Sequence, residues 1–453
     1  MLISFSVTNF RSFHEEQTLS MVASLRQPDH PEHLSSIQAL DPKLLPVAVI
    51  YGANGSGKSN LVKSLSFVQR LVIQGVQPGQ PIERQPFIFG APGAIEPSAF
   101  EVRFTAGERS FSYGFKVTDK EVLEEWLDLL TGAGEANLFE RVTQGGVVRI
   151  EAGKALRGDT ANADNKVMAL AKVGVRANQL FLAGIRETLD IQSHGPLIAP
   201  VLDWFSSIDI ISADASFQKL PEWLDNDSSF AKFAGDFLRD SSTGVDRLDV
   251  EKREITDPDL LLQINNSFRH GLPPRIPYGS TGEIQVERGE SIKLLLRTIR
   301  AEHTSKDGKL VRLPFQDESD GTQRLTHLLP ALFQSKKEHR LYIIDEIDRS
   351  LHPLLSRKFI EFFLKVCKDH GSQIIITTHE SNLMDLDLLR RDELWFTEKN
   401  PQNATTLYSM SDFKVRTDLK IEKGYLQGRF GAIPFLGNLD RLIEQLNVEA
   451  PCP

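Results

Sequence analysis

Eight residues, Gly52-Ala53-Asn54-Gly55-Ser56-Gly57-Lys58-Ser59, follow the apolar run Val47-Ala48-Val49-Ile50-Tyr51 and precede a helix-like stretch over 60–73. A strand, a glycine-rich loop ending in Lys-Ser and a helix form a phosphate-binding P-loop: glycines let backbone N–H groups wrap an anion, and the helix aims its positive end at it. At this spacing Lys58 would reach β- and γ-phosphates and Ser59 would hold Mg²⁺. Farther on, Arg340-Leu341-Tyr342-Ile343-Ile344-Asp345-Glu346 reads as a buried strand tipped by two carboxylates. Such a tip places Asp345 near the metal and lets Glu346 polarise a water. A second strand, Gln373-Ile374-Ile375-Ile376-Thr377-Thr378-His379-Glu380, ends in a histidine. Glu318-Ser319-Asp320-Gly321-Thr322-Gln323-Arg324 opens a helix over 325–333 and offers a hydroxyl and backbone donors at its start. Together these residues call for a nucleoside triphosphate with Mg²⁺ and for attack of water on its γ-phosphate. No Asn-Lys-x-Asp guanine reader is formed, since Asn165-Lys166-Val167-Met168 lacks the final Asp.

These groups need elements to position them. Phe100-Glu101-Val102-Arg103-Phe104 and Phe111-Ser112-Tyr113-Gly114-Phe115-Lys116-Val117 alternate with period two, which predicts a half-buried antiparallel hairpin and a β-subdomain on the first lobe. A second hairpin is expected from 292–301 and 310–315 through the turn pair Asp307-Gly308, leading into the Ser319 motif. About 260 residues separate Ser59 from Ser319. Residues 151–285 therefore read as a mainly helical insertion, with helical patches over 167–186 and 221–238 and a Gly/Pro/Ser-rich return linker over 271–282. No sustained heptad repeat predicts a coiled-coil arm. Pro353 suits the first turn of a helix whose apolar face includes Leu355, Phe359, Phe362, Phe363 and Val366, with Gly371 as its stop. The expected division is a first ATPase lobe over 1–150, the insertion over 151–285, a second lobe over 286–400 and a tail over 401–453 packed on the core. Lys414, Arg416, Lys420, Lys423 and Arg429 in that tail read as a solvated face.

With 453 residues, 40% of them hydrophobic, the chain can bury a large core. Its two cysteines, Cys367 and Cys452, form no disulfide framework or cysteine metal site. The start lacks a basic segment followed by an apolar core, and no run reaches membrane-spanning length, so a cytoplasmic location and no membrane partner are expected. A net charge of −9 argues against a surface coated for DNA binding, while leaving room for a local basic groove.

In this order, the P-loop, Ser-x-Gly-Thr, Asp-Glu and Thr-His resemble the nucleotide-binding core of the ABC-type ATPases, including the structural-maintenance, Rad-type and RecF branch. That resemblance implies an α/β ABC-type P-loop ATPase head with a β-subdomain and a mainly helical insertion. Arg349-Ser350-Leu351-His352 occupies the place of the D-loop, with His352 where an Asp is usual. The opening Leu2 to Phe13, with its Asn9-Phe10-Arg11-Ser12 turn, looks like the first strand of RecF-like and Rad-type heads. Residues 390–399, 411–414 and 421–434 resemble segments of the standalone AAA-fifteen or RloA/AbiLi-like bacterial ATPases. The likeness implies ATP held between two copies of the chain. Gly52, Asn54, Gly55, Gly57, Lys58 and Ser59 of one copy would hold the triphosphate, with Ser59 and Asp345 at the metal. Ser319 and Gly321 of the other copy would close on the γ-phosphate, with Glu346 as the base and His379 at the γ-phosphate. Gln85 and Arg11 are further candidates by location. It also implies a homodimer or higher homo-oligomer and a separate effector, such as a Toprim-like nuclease or toxin, in anti-phage defence. The alternative is a RecF-like repair ATPase acting directly on DNA. A transporter ATPase is disfavoured by the insertion and the Asn-Phe-Arg-Ser entry, and a stand-alone nuclease by the fewer than 80 residues after His379.

Overall fold

In the strands of the central sheet, side chains of alternating positions enter two different cores. Ala48 and Ile50 of the P-loop strand join one apolar cluster, while Val47, Val49 and Tyr51 join the other. Leu341 and Ile343 alternate with Tyr342 and Ile344 in the same way, as Ile375 does with Ile374 and Ile376. A strand buried on both faces reads as an unbroken apolar run, which is why these segments were legible without polar alternation.

The structure is a computed structural model that describes residues 1–35, 43–90, 96–157, 162–190, 195–213, 217, 219–256, 258, 262, 275–278, 282–288, 292–335, 339–367, 371–414 and 421–433. Its strands are β1 (Leu2–Thr8), β2 (Gln17–Ser20), β3 (Val47–Tyr51), β4 (Ser98–Ala106), β5 (Arg109–Val117), β6 (Val122–Thr131), β7 (Gly134–Gln144), β8 (Val147–Ala152) and β9 (Ile208–Ile211). They continue as β10 (Arg247–Glu254), β11 (Arg275–Tyr278), β12 (Gly282–Arg288), β13 (Ile292–Thr304), β14 (Leu310–Pro314), β15 (Leu341–Ile344), β16 (Gln373–Thr377), β17 (Leu394–Lys399) and β18 (Thr405–Ser409).

The central sheet runs β18-β17-β3-β16-β15-β9, with every pairing parallel except that of β17 with β18. A second, antiparallel sheet runs β2-β1-β4-β5-β6-β7-β8. The hairpin expected over 100–117 is there as β4 and β5, with Phe104 opposite Phe111. Phe67 of the P-loop helix (Lys58–Ile73) joins this sheet to the central one, its ring 5.2 Å from Phe100 and 5.1 Å from Phe10. The other core holds the helices Ser228–Asp240, Asp320–Gln334 and Pro353–Cys367. Phe359 and Phe363 are buried there as expected, Leu355 and Phe362 only partly. Burial pushes the Cys367 thiol up to about 12, so it behaves as a packing group.

A third sheet, β10-β13-β12-β11 with β14 on β13, contains the second expected hairpin, Thr304 lying opposite Leu310. Residues 151–285 carry helices, but they also supply β9 to the central sheet and β10, β11 and β12 to the third. Four residues, Ile-Asp-Ile-Ile, are too short for a period to register, and β9 is fixed by its neighbour β15. The patch over 167–186 is two helices, Asn162–Val173 and Phe181–Thr188, parted after Gly174, whose φ is 86°. The patch over 221–238 is likewise split at Asp227, whose carboxylate accepts from the N–H groups of Ser229 and Phe230 at 3.0 Å and starts a new helix. Of the stretch read as a return linker, 275–278 is strand β11, paired with β12. Its residues 271–274 and 279–281 lie outside the described residues, as do Arg416, Lys420, Pro434 and Cys452. Lys414, Lys423 and Arg429 are exposed.

Candidate nucleotide-binding site

Parallel strands bring their C-terminal ends to one edge of a sheet, where α/β folds place ligands. Here the register sets Ile50 opposite Thr377 and Ile344 opposite Ile376, so the loops after β3, β15 and β16 emerge side by side. This edge gathers Gly52, Lys58, Ser59, Asp345, Glu346 and His379 from segments more than 300 residues apart.

The P-loop is shaped by what backs it. Gly55 and Gly57 have φ of 78° and 121°, backbone that L side chains rarely adopt. A Cβ on Gly57 would overlap the Thr405 side chain, and one on Gly52 would lie 2.5 Å from Ser56 Oγ and Thr397 O. At Gly55 a Cβ would meet nothing within 4 Å, so the loop is tight behind and open in front. Asn54 beside it is exposed. Ser56 Oγ pairs with Thr397 Oγ1 at 2.7 Å, and Thr405 Oγ1 lies 2.7 Å from Ser56 O and 2.8 Å from Ser12 Oγ. Asn60 Nδ2 also donates to Ser12 Oγ at 2.8 Å. The Asn-Phe-Arg-Ser turn therefore braces the loop through Ser12, with Asn9 and Arg11 both at positive φ. Arg11 N donates to Gln85 O at 2.6 Å, while Gln85 itself is exposed.

Lys58 is buried and bends back onto the loop, its Nζ donating to Gly52 O at 2.7 Å and Ala53 O at 3.3 Å. Burial lowers its pKa to about 8, against the opposing pull of Glu346, Asp345 and Asp348. Its ammonium lies 3.5 Å from Nδ1 of His379, which is pushed down by burial and then by Lys58. Ser59 Oγ donates to Asp345 Oδ1 at 3.2 Å, and Thr377 Oγ1 donates to the same oxygen at 2.5 Å.

Glu346 has φ 49°, a strained value for a residue with a side chain. Two bonds over-determine it: its N–H donates to Thr377 Oγ1 at 2.8 Å, and its carbonyl accepts from Arg324 at 3.3 Å. Arg324 also donates to Asp345 O at 2.8 Å and Ser212 O at 3.0 Å, tying the carboxylate strand end to the helix that Ser319 caps. Asp348 accepts from Thr378 Oγ1 at 2.7 Å and His379 N at 3.3 Å and so fixes the histidine's backbone.

Ser319 and Gly321 are built differently. Ser319 is the exposed N-cap of its helix, its Oγ accepting from Thr322 N at 3.2 Å and pairing with Thr322 Oγ1 at 2.9 Å. A Cβ on Gly321 would come within 2.7 Å of Ser350 O, so glycine is needed for close approach to the turn at 349–352. Among the described residues no recorded hydrogen bond joins either residue to the P-loop. His352 Nδ1 accepts from Leu354 N at 3.2 Å and serves the start of the next helix.

The residues present fit a Mg²⁺-nucleoside triphosphate. Ser59 and Asp345 set two hard oxygen donors side by side, the ligand type Mg²⁺ takes. Lys58 is a buried ammonium whose hydrogen bonds go to two carbonyls and His379, with no carboxylate among them, which suits an anion such as a phosphate. The Arg11 guanidinium lies over the Phe10 ring at 5.7 Å, and burial and then Arg70 lower its pKa, so its side chain is placed by packing. Sequence reading missed Thr377, Asp348, Arg324, Ser12 and Thr405 as parts of the site. Arg324 had a signal, since it ends the Ser319 motif; Ser12 and Thr405 are 393 residues apart and had none.

The profile of a protein family described as "AAA domain, putative AbiEii toxin, Type IV TA system" matches residues 47–141 and 186–385, which include the P-loop, Ser319, Asp345, Glu346 and His379. No curated protein matches the chain. Among solved structures, an Smc head bound to the C-winged helix domain of ScpA is 13% identical with a TM-score of 0.41, over 90% of this chain and 97% of that one. The SMC head domain from Thermotoga maritima is 14% identical with a TM-score of 0.37, over 91% and 99%. An Smc head with an extended coiled coil bound to the C-terminal domain of ScpA, derived from Pyrococcus furiosus, is 12% identical with a TM-score of 0.39, over 94% and 98%.

Proposed function

The chain belongs to this family of AAA domains and has the mixed α/β head of an ABC-type P-loop ATPase, and we propose that it binds and hydrolyses ATP between two copies of itself. The observation that carries this reading is the Lys58–Ser59–Asp345–Glu346–His379 constellation, assembled at one sheet edge with Thr377 holding both acidic residues in place. Lys58 and the loop N–H groups bind the triphosphate, and Ser59 and Asp345 hold Mg²⁺. When bound, that ion neutralises charge on the β- and γ-phosphate oxygens. Glu346 orients the water and takes its proton, and His379 donates to the γ-phosphate oxygens. Ser319 and Gly321 of the second copy close the site, so turnover reports association.

The finer reading is a sensor or scaffold that controls a separate effector, such as a nuclease or toxin, in anti-phage defence. The words "putative AbiEii toxin, Type IV TA system" in the family's description support it, as does the likeness of 390–399 and 411–414 to RloA/AbiLi-like ATPases. A cytoplasmic location goes with this reading; no helix among the described residues is long and apolar enough to cross a membrane. The test uses Glu346→Gln, expected to retain ATP binding and to lower turnover about 10²- to 10³-fold. Affinity capture of that variant with ATP and Mg²⁺ from its native host is expected to bring a stoichiometric small nuclease or toxin. Recovery of DNA with repair proteins would replace this reading with a RecF-like one, and turnover at the parental rate would remove Glu346 as the base.

A further inference from the structure

Outside the nucleotide site, His30-Pro31-Glu32-His33 forms a single 3₁₀ turn, Pro31–His33, entered from His30 in the left-handed conformation (φ 48°, ψ 58°). Side chains three apart eclipse in such a turn. Accordingly the two imidazoles stack, with ring centroids 4.9 Å apart and planes 17° from parallel. One ligand atom from each of His30, Glu32 and His33 lies within 4.8 Å of the others.

The outer partners of these rings decide which nitrogens face inward. His30 Nε2 lies 2.7 Å from Leu386 O, a carbonyl that can only accept, so Nε2 carries the proton. His33 Nδ1 lies 3.0 Å from the buried Glu393 carboxylate, a partner that leaves Nε2 as the ring's other nitrogen. One ring nitrogen bonded to a carbonyl or carboxylate and the other turned inward is how metal-ligating histidines are oriented. His30 Nδ1 then faces Glu32 Oε1 at 2.9 Å. With Nε2 protonated, Nδ1 either carries a second proton and donates to the Glu32 carboxylate as an ion pair, or presents its lone pair beside the carboxylate oxygen to a metal ion. Ligands on one Zn²⁺ at bond lengths of about 2.0–2.1 Å stand about 2.9–3.4 Å apart, so the His30–Glu32 separation is already the bite of such an ion.

We propose that His30, Glu32 and His33 bind a divalent cation of the zinc class, with water or an outside group completing its shell. Two imidazole nitrogens and one carboxylate oxygen suit Zn²⁺ better than Mg²⁺ or Ca²⁺, which take oxygen ligands. The half-exposed Glu32 leaves the site open to solvent. Its setting gives it a structural task. Arg390 Nη2 donates to Gln27 O at 2.9 Å, Ser24 N donates to Asp392 Oδ2 at 2.7 Å, and both outer partners of the histidines lie at 386–393, between β16 and β17. A bound ion locks the end of this clasp, which joins the N-terminal segment to the connection between two strands of the central sheet.

The experiment is a Zn²⁺ titration of metal-stripped, nucleotide-free full-length protein against a chromogenic chelator, beside Glu32→Gln and the double variant His30→Gln/Glu32→Gln. The parent is expected to take up one Zn²⁺ per chain that the double variant does not, with at least a tenfold weaker affinity in Glu32→Gln. Zn²⁺ should raise the melting temperature of the parent and leave that of the double variant unmoved. Co²⁺ added to the parent alone gives a reading that does not depend on the variants folding: a low-symmetry, nitrogen-ligated visible spectrum is expected. Equal Zn²⁺ uptake by the parent and the double variant, or no uptake by the parent, would overturn the proposal and leave a proton as the cation between His30 and Glu32.

Discussion

The P-loop edge and the Ser319 turn are both helix starts, yet they are finished to different degrees. At the P-loop edge the chain supplies its own partners: Lys58 reaches toward His379, Ser59 meets Asp345, and Thr377 holds Asp345 and Glu346 together. At the Ser319 turn the hydroxyl is used locally, and residues 319, 320, 349 and 350 are exposed. On the proposed two-copy reading, one half of the site is complete within the chain and the other half faces outward. Arg324 links the two, since the helix capped by Ser319 grips the backbone of Asp345 and Glu346. Closing an exposed turn over a nucleotide would thereby be felt at the catalytic strand end.

The largest separation between the halves comes from two substitutions. Lys58→Ala should weaken ATP binding at least about 100-fold, because it removes a buried ammonium of the P-loop. Ser319→Arg should leave ATP binding by the isolated chain within about twofold, while lowering turnover at least about 100-fold by blocking closure. Equilibrium binding of a fluorescent ATP analogue beside a phosphate-release assay separates the two. Equal loss of binding in both variants would place Ser319 at the same half-site as Lys58.

A smaller effect sharpens the P-loop half alone. Thr377→Val removes the hydroxyl that bonds Asp345 and receives the Glu346 N–H, so Mg²⁺ dependence should shift about 10-fold toward higher concentration. An unchanged Mg²⁺ profile would show that Thr377 does not position Asp345.

The pH response bears on Lys58 alone. Burial lowers the pKa of free Lys58 to about 8, and a bound triphosphate raises that value, so ATP affinity should be level between about pH 7 and pH 8. Above it, affinity should fall by up to about tenfold per pH unit as the free enzyme loses the proton that the complex keeps. Lys58→Arg, which stays charged, should flatten that slope even if it lowers affinity. A wild-type affinity constant from pH 7 to 9.5 would contradict the buried, charge-starved lysine.

Much of this site was legible in the sequence because its parts are short, local and ordered along the chain. A glycine loop before a helix and an apolar run tipped by Asp-Glu carry their geometry with them, and the parallel register of β3, β16 and β15 does the rest. What was not legible depends on contacts between distant segments. Nothing near Ser12 announces Thr405, and the Asn-Phe-Arg-Ser turn acts through that pair and Asn60. Strand β9 hid for the opposite reason: four residues have too little pattern of their own, and the strand beside them supplies the pairing. The two helices of 167–186 were read as one because apolar spacing continues across Gly174 while the backbone turns there.

Complementation between two inactive chains tests the shared site most directly. Lys58→Ala and Ser319→Arg proteins, each inactive alone, are mixed in equal amounts with ATP and Mg²⁺ and phosphate release is measured. Random pairing gives mixed dimers with one intact P-loop facing one intact Ser319, so activity should return to about a quarter of the parental rate. Activity that stays at the sum of the two separate variants would mean that each chain completes its own site.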